Sequence, residues 1–173
     1  SHKGLDLLRE VMGDIMELPA QFVVLGSGDA GYEEFFRRTA ERYPGRMAVR
    51  LGYNEALSMA IYAGADLFLM PSRSEPCGLS QMIAMRYGTI PVVRETGGLK
   101  DSIRDSGDGY GNGFTFANYN AHELYEACWR AKEGYWQKDG WPVLVKRAME
   151  CDFSWSNSAK SYEGLYNEVV NLW

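Results

Sequence analysis

The chain has 173 residues, 18 of them basic and 23 acidic, for a formal net charge of −5. That balance argues against a nucleic-acid partner held through phosphate contacts. No apolar run approaches a membrane span, and no signal peptide is visible. With 46% hydrophobic and 24% charged residues, the composition is that of a soluble globular domain, or of one domain with a helical appendage. Cys77, Cys128 and Cys151 are widely spaced and no pair has metal-ligand spacing, so reduced thiols are expected. Ser1-His2 reads as the remnant of a cleaved tag, and the rest as a piece of a longer protein.

Leu5, Leu7, Leu8, Val11, Met12, Ile15 and Met16 recur near helical period and predict a helix over 4–18. Gln21 to Leu25 is an apolar strand ended by Gly26-Ser27-Gly28-Asp29. A helix over 32–43 stops at Pro44-Gly45, and Met47 to Leu51 is a second strand. Asn54 can cap a helix through Tyr62. Ala65 to Met70 is a third strand, Leu79 to Tyr87 a helix and Ile90 to Val93 a fourth strand. Asp105 to Gly113 is glycine-rich and reads as a mobile surface loop, followed by a short edge strand at Phe114 to Phe116. Three helices then follow, over 121–135, 141–151 and 155–172. Trp129, Trp136, Trp141, Phe153 and Trp155 are expected to pack them onto the sheet.

Strands alternating with helices imply an α/β fold, a Rossmann-like parallel sheet with helices on both faces plus a C-terminal helical appendage. The divisions expected are 3–118 for the sheet domain and 119–173 for the appendage. Ligands in such sheets bind beyond the carboxyl ends of the strands. Those ends are Gly26 to Asp29, Gly52-Tyr53, Pro71 to Ser80 and Arg94 to Leu99. At the third of them, a turn opens a helix at Gly78, Leu79 and Ser80, whose N–H groups lack intrahelical partners and suit an anion. Glu75 in the same turn offers an acceptor for hydroxyls, a pairing that suits a sugar joined to a phosphate. Taken locally, a plain capped turn and a solvated Glu are equally good readings. Gly26-Ser27-Gly28 lacks the third glycine of a dinucleotide fingerprint.

The run PSRSEPCGLSQMIAMRYGTIPVVRETGGLKDSI, Pro71 to Ile103, resembles the nucleotide-binding half of bacterial glycogen synthases and plant starch synthases. The resemblance extends more loosely from Lys3-Gly4-Leu5-Asp6 to Phe153-Ser154-Trp155 and about Val170. It implies the C-terminal half of a retaining GT-B glycosyltransferase that transfers glucose from ADP-glucose to the non-reducing end of an α-1,4-glucan. Glu75 is then the acidic residue at the transferred glucose, with Pro76, Cys77 and Gly78 around the sugar. Ile83 stands where many related enzymes have a second Glu, so no protein nucleophile is evident.

The resemblance further implies that Lys3, Gly78, Leu79 and Ser80 meet the diphosphate and that Tyr53 stacks on the base. It makes Gly26, Gly28, Arg94, Thr96 and Gly97 pocket-lining candidates. Lys3 matches a motif whose Arg lies five residues upstream of it. Without that Arg the chain should bind nucleotide tens of times more weakly, since a charge-assisted phosphate contact is worth roughly 1.5–3 kcal/mol. No cofactor and no metal are expected. The acceptor glucan would meet a missing N-terminal domain, without which the chain would be inactive. The apolar face of the last helix, with Trp155, Leu165, Tyr166 and Trp173, would be exposed and favour self-association. A cytoplasmic bacterial enzyme is favoured over a plastid one. Two alternatives stay open: a non-catalytic nucleotide-binding module, and a related enzyme using a UDP- or GDP-sugar.

Overall fold

A computed structural model describes residues 2–172, so Trp173 lies outside the described residues. In chain order the elements are α1 (Leu5–Glu17), β1 (Phe22–Gly26), α2 (Ala30–Arg42), β2 (Met47–Leu51), α3 (Glu55–Gly64), β3 (Leu67–Met70) and α4 (Ser80–Arg86). They continue with β4 (Ile90–Arg94), α5 (Gly97–Ser102), β5 (Phe114–Phe116), α6 (Ala121–Tyr135), α7 (Gly140–Met149) and α8 (Trp155–Asn171). Short polar side chains start the helices by accepting from otherwise unpaired N–H groups. Asp29 accepts from Gly31 N at 2.8 Å, Asn54 from Leu57 N at 2.9 Å and Asn120 from Glu123 N at 2.8 Å.

All strand pairs are parallel, and the expected single sheet is in two pieces. β1 pairs with β2, and β3, β4 and β5 form a second ladder in that order. α1 packs against α6, while Arg9 of α1 lies 4.5 Å over the Tyr32 ring of α2. On the other side α4 touches α3 and α7. Helices therefore cover both faces, as an all-parallel sheet requires. The core centres on β4, whose Ile90, Val92 and Val93 are at most 2% exposed, with Met85, Leu99, Leu124, Ala127 and Ala131 around them.

Three expectations need correction. The turn Thr96-Gly97-Gly98 opens a short helix, α5, that two adjacent glycines hide from a reading by propensity. The glycine-rich run 105–113 is a hydrogen-bonded turn instead of a free loop. Asp105 accepts from Gly107 N and Thr115 N, Asn112 donates to Ser102 O at 3.0 Å, and Arg147 donates to Gly111 O at 2.6 Å. The appendage is also not fastened by its aromatics: Trp129, Trp136, Phe153 and Trp155 are exposed, and only Trp141 packs on the core. Small and aliphatic side chains do that work, Leu124, Ala127 and Ala131 from α6 and Leu144 and Ala148 from α7, because they allow close helix–sheet approach. α8 buries no residue at all, and its Trp155, Leu165 and Tyr166 face solvent.

Candidate functional site

The carboxyl end of β3 leads into Pro71 and Ser72, both buried, and then into the turn that carries Glu75. Three separate elements fix this turn. Arg94, at the end of β4, donates to Ser72 O at 2.9 Å, Arg73 O at 2.5 Å and Ala117 O at 3.3 Å. Its guanidinium is thus committed to main-chain carbonyls, which makes it a brace for the turn.

The start of α5 is the second support. Gly98 N donates to Glu75 O at 3.0 Å and Pro76 O at 3.3 Å. A Cβ on Gly97 would sit 2.3 Å from Glu75 O, and one on Gly98 only 1.8 Å from Cys77 O. No side chain beyond hydrogen fits between these two backbones.

Gln81 is the third. It is 0% exposed, and its Nε2 lies 2.7 Å from Gly78 O, 3.3 Å from Cys77 O and 3.1 Å from Ser102 Oγ. Ser102 in turn donates to Gly98 O at 2.6 Å. Gln81 Oε1 is buried without a hydrogen-bond partner among the described residues.

The segment before α1 completes the cluster. Gly4 has φ 72°, and a Cβ there would fall 1.9 Å from Pro71 O. Arg73 N donates to His2 O at 2.8 Å. This contact brings Lys3 to Glu75, with Nζ 2.5 Å from Oε2, and Ser72 Oγ lies 3.3 Å from the same oxygen. Glu75 is nearly covered and Lys3 largely exposed. Next to them Tyr119 donates to Asp6 at 2.5 Å and Arg73 pairs with Asp6 at 3.2 Å. Burial alone would raise the Asp6 pKa, but the Tyr119 hydroxyl and the Arg73 charge outweigh it and hold it below the ordinary value.

α4 has no side-chain cap, and its first main-chain bond runs from Ile83 N to Leu79 O at 3.0 Å. The N–H groups of Leu79, Ser80, Gln81 and Met82 are left to an external acceptor. The turn thus carries one carboxylate, met by the ammonium of Lys3, and leads into a helix start with unpaired N–H groups.

Of the other sequence candidates, those after β1 and β2 stand at open turns. Tyr53 is 87% exposed beyond β2, and a Cβ on Gly26, Gly28 or Gly52 would meet open space. Gly28 N is already taken by Glu33 Oε1 at 2.9 Å. Thr96 precedes α5 without capping it through its side chain. Pro76, Cys77 and Gly78 continue the Glu75 turn toward α4, and their carbonyls meet Gly98 N and Gln81 Nε2. Gly4, Ser72, Gln81 and Ser102 give no such signal in the sequence, because their roles depend on partners 21 or more positions away. Among the described residues no three His, Cys, Asp or Glu side chains are placed to hold a metal ion. No described helix is long and apolar enough to cross a membrane.

A parallel α/β domain with polar groups gathered at the carboxyl ends of its strands is the architecture of a ligand-binding domain of doubly wound type. The chain belongs to the family described as glycosyl transferases group 1, which matches residues 1–135. Over 170 residues it is 57% identical to the glycogen synthase of Desulfitobacterium hafniense, an alignment covering 96% of this chain and 36% of that protein. It is 52% identical to the glycogen synthase of Bacillus anthracis, over 97% of this chain and 36% of the relative. The catalytic domain of starch synthase IV from Arabidopsis thaliana, solved bound to ADP and acarbose, superposes with a TM-score of 0.85 at 42% identity. That match covers 98% of this chain and 36% of the other. Sucrose-phosphate synthase from Thermosynechococcus elongatus shares the fold, with a TM-score of 0.67 at 20% identity over 99% of this chain and 43% of that one. The chain thus spans about a third of the length of the glycogen synthases it matches.

Proposed function

We propose that this chain is the donor-binding domain of a glycogen or starch synthase, an enzyme that moves glucose from ADP-glucose to the non-reducing end of an α-1,4-glucan with retention. The observation that carries this reading is the Lys3–Glu75 pair, seated on a braced turn beside the free N–H groups of α4. The names of the relatives support it. In this reading the diphosphate lies against the N–H groups of Leu79 and Ser80 and draws Lys3 away from Glu75. Gly78 lets the phosphate approach the main chain. The freed Glu75 carboxylate accepts from glucose hydroxyls and stabilises positive charge at the anomeric carbon. An acceptor hydroxyl oxygen then bonds to that carbon as the bond to the diphosphate oxygen breaks, and the proton leaves with the diphosphate. Pro76 and Cys77 line the sugar, and Tyr53 supplies a face for the base.

The charge of the leaving group would be met by Lys3 and amides, so the domain is expected to need neither metal nor cofactor. The acceptor glucan would be held by the rest of the longer protein, and α8 would lay its apolar face there too. Isolated, the domain would be inactive and would self-associate through that face, as sedimentation at rising concentration can show. A cytoplasmic enzyme is the expected reading, and the bacterial origin of the glycogen synthase relatives supports it.

The reading is tested by calorimetric titration of this chain with ADP and, in parallel, UDP. ADP should bind with Kd of about 0.1 to a few mM, that is about −4 to −5.5 kcal/mol, and UDP more weakly. Tighter binding of UDP would move the donor to a different base. In the longer protein, Glu75→Gln should lower glucose transfer on the order of 100-fold or more. Its effect on stability should stay under about 1 kcal/mol, because Lys3 is exposed. Full transfer by that variant would sink the assignment of Glu75, and no transfer by the unaltered longer protein would leave a binding module without chemistry.

A further inference from the structure

The link between β5 and α6 is a firm frame. Glu123, in the first turn of α6, accepts from Ala117 N at 3.1 Å and Asn118 N at 2.8 Å, while Asn120 accepts from Glu123 N. Two side chains thus satisfy free N–H groups on both sides of the helix start. α6 itself is seated on β4 and β5 by Leu124, Ala127 and Ala131, each 0% exposed. Tyr119 extends from this frame and is half-buried.

Tyr119 joins segments that are remote in the chain. Its hydroxyl donates to Asp6 Oδ1 at 2.5 Å, across 113 positions. Burial, and after it the hydrogen bond to Asp6, raise the Tyr119 pKa above its ordinary value, so the phenol stays a donor. The face of the ring takes the Arg73 guanidinium 4.4 Å from its centroid and the Arg94 guanidinium at 5.5 Å. Asp6 uses its second oxygen, Oδ2, for Arg73 Nη2 at 3.2 Å.

Arg73 is the junction of these contacts. Its N–H donates to His2 O, its C=O accepts from Arg94, and its side chain meets both Asp6 and Tyr119. Lys3 is enclosed by the same set. The residue before it is tied to Arg73, the residue after it packs on Pro71 O, and Asp6, one turn into α1, is tied to Tyr119. Stability does not account for the arrangement. The side chains of Arg73 and Asp6 are 59% and 39% exposed, and ion pairs that open to water add little to folding. What the contacts do fix is the place of the start of α1 against the Glu75 turn, and with it the place of the Lys3 ammonium.

We propose that Tyr119 is a positioning residue: through Asp6 it anchors the start of α1 to the rigid β5–α6 link, and so sets where the Lys3 ammonium meets the diphosphate of the donor. The proposal deepens the reading of Lys3 as the cation for that diphosphate and rests on it. The hydroxyl is the working part, because the ring could keep its contacts with Arg73 and Arg94 without it. Tyr119 and Asp6 touch neither donor nor acceptor in this arrangement. They act by removing freedom from a side chain that is itself largely exposed and would otherwise sample many positions.

A double-mutant cycle in the longer protein tests it, with ADP affinity by calorimetry as the readout. Lys3→Met should weaken ADP roughly tenfold, and Tyr119→Phe about fivefold. With Lys3→Met already present, Tyr119→Phe should change ADP affinity by less than about twofold, because the ammonium it positions is gone. Asp6→Ala removes the other half of the link and should show the same dependence on Lys3. Both variants should melt with the unaltered protein, since the pair is open to water. An equal loss from Tyr119→Phe in both backgrounds would overturn the proposal while leaving Lys3 on the diphosphate. An undiminished affinity in Tyr119→Phe alone, or a loss that tracks a lowered melting temperature, would overturn it as well. No loss from Lys3→Met would overturn both the proposal and the reading beneath it.

Discussion

The turn after β3 and the turns after β1 and β2 sit at the same kind of position but are built differently. The first is held from outside itself, by Arg94, by the glycines of α5, by Gln81 and by the start of α1. The turns at Gly26–Asp29 and Gly52-Tyr53 are held by their own caps and open onto solvent. A site that must stabilise charge benefits from groups fixed beforehand, because reorganising dipoles during reaction costs barrier height. In the proposed reading Tyr53 offers a face for a flat base, and such a face needs only to be present. The contrast teaches where precision was built into this domain: around Glu75, and not around Tyr53.

The contrast can be broken most strongly at Gly98. Gly98→Ala puts a methyl group into Cys77 O and should cost about 3 kcal/mol, seen as a lower denaturant midpoint with loss of ADP binding. Unchanged stability would show that the turn is not braced. Gln81→Leu should cost about 2 kcal/mol, since Gly78 O and Cys77 O lose their buried donor.

Asp105 sharpens the comparison from a second braced turn. Burial tends to raise its pKa, but Thr115 N–H and Arg130 outweigh it and hold the carboxyl below its ordinary value. A depressed folded pKa adds stability above the unfolded value of about 3.9, and that stability is lost as pH falls through the folded value. Asp105→Asn should flatten this acid limb of the melting temperature, and an identical limb in both proteins would count against the pair. At the open edge, Tyr53→Ala should leave stability within about 0.5 kcal/mol while weakening ADP roughly tenfold. Gly28→Ala, facing open space, should be the quietest, within about 1 kcal/mol by melting.

Much of this site was legible because its chemistry is local. Glu75, Pro76, Cys77, Gly78 and Ser80 sit in one run between an apolar strand and a helix. What was not legible depended on distant partners. Arg94 is expected to line the pocket, and what only the fold adds is the three main-chain carbonyls around its guanidinium. The two glycines of α5 read as a turn because glycine disfavours helix, whereas close packing against Cys77 O is what selects them. The tryptophans of the appendage looked like fasteners by their size, yet alanines hold α6 to β4 and β5.

The sequence by itself determined the alternation of strands and helices, their parallel sense and the edge where polar groups collect. Apolar period and capping residues are local signals that survive without knowledge of neighbours. Only the tertiary structure decided that Lys3 meets Glu75 across 72 positions, that Gln81 turns inward, and that the sheet stands in two pieces. Those outcomes depend on which backbones approach within hydrogen-bond reach. Contacts between segments far apart in the chain set that approach, and no stretch of residues encodes them alone.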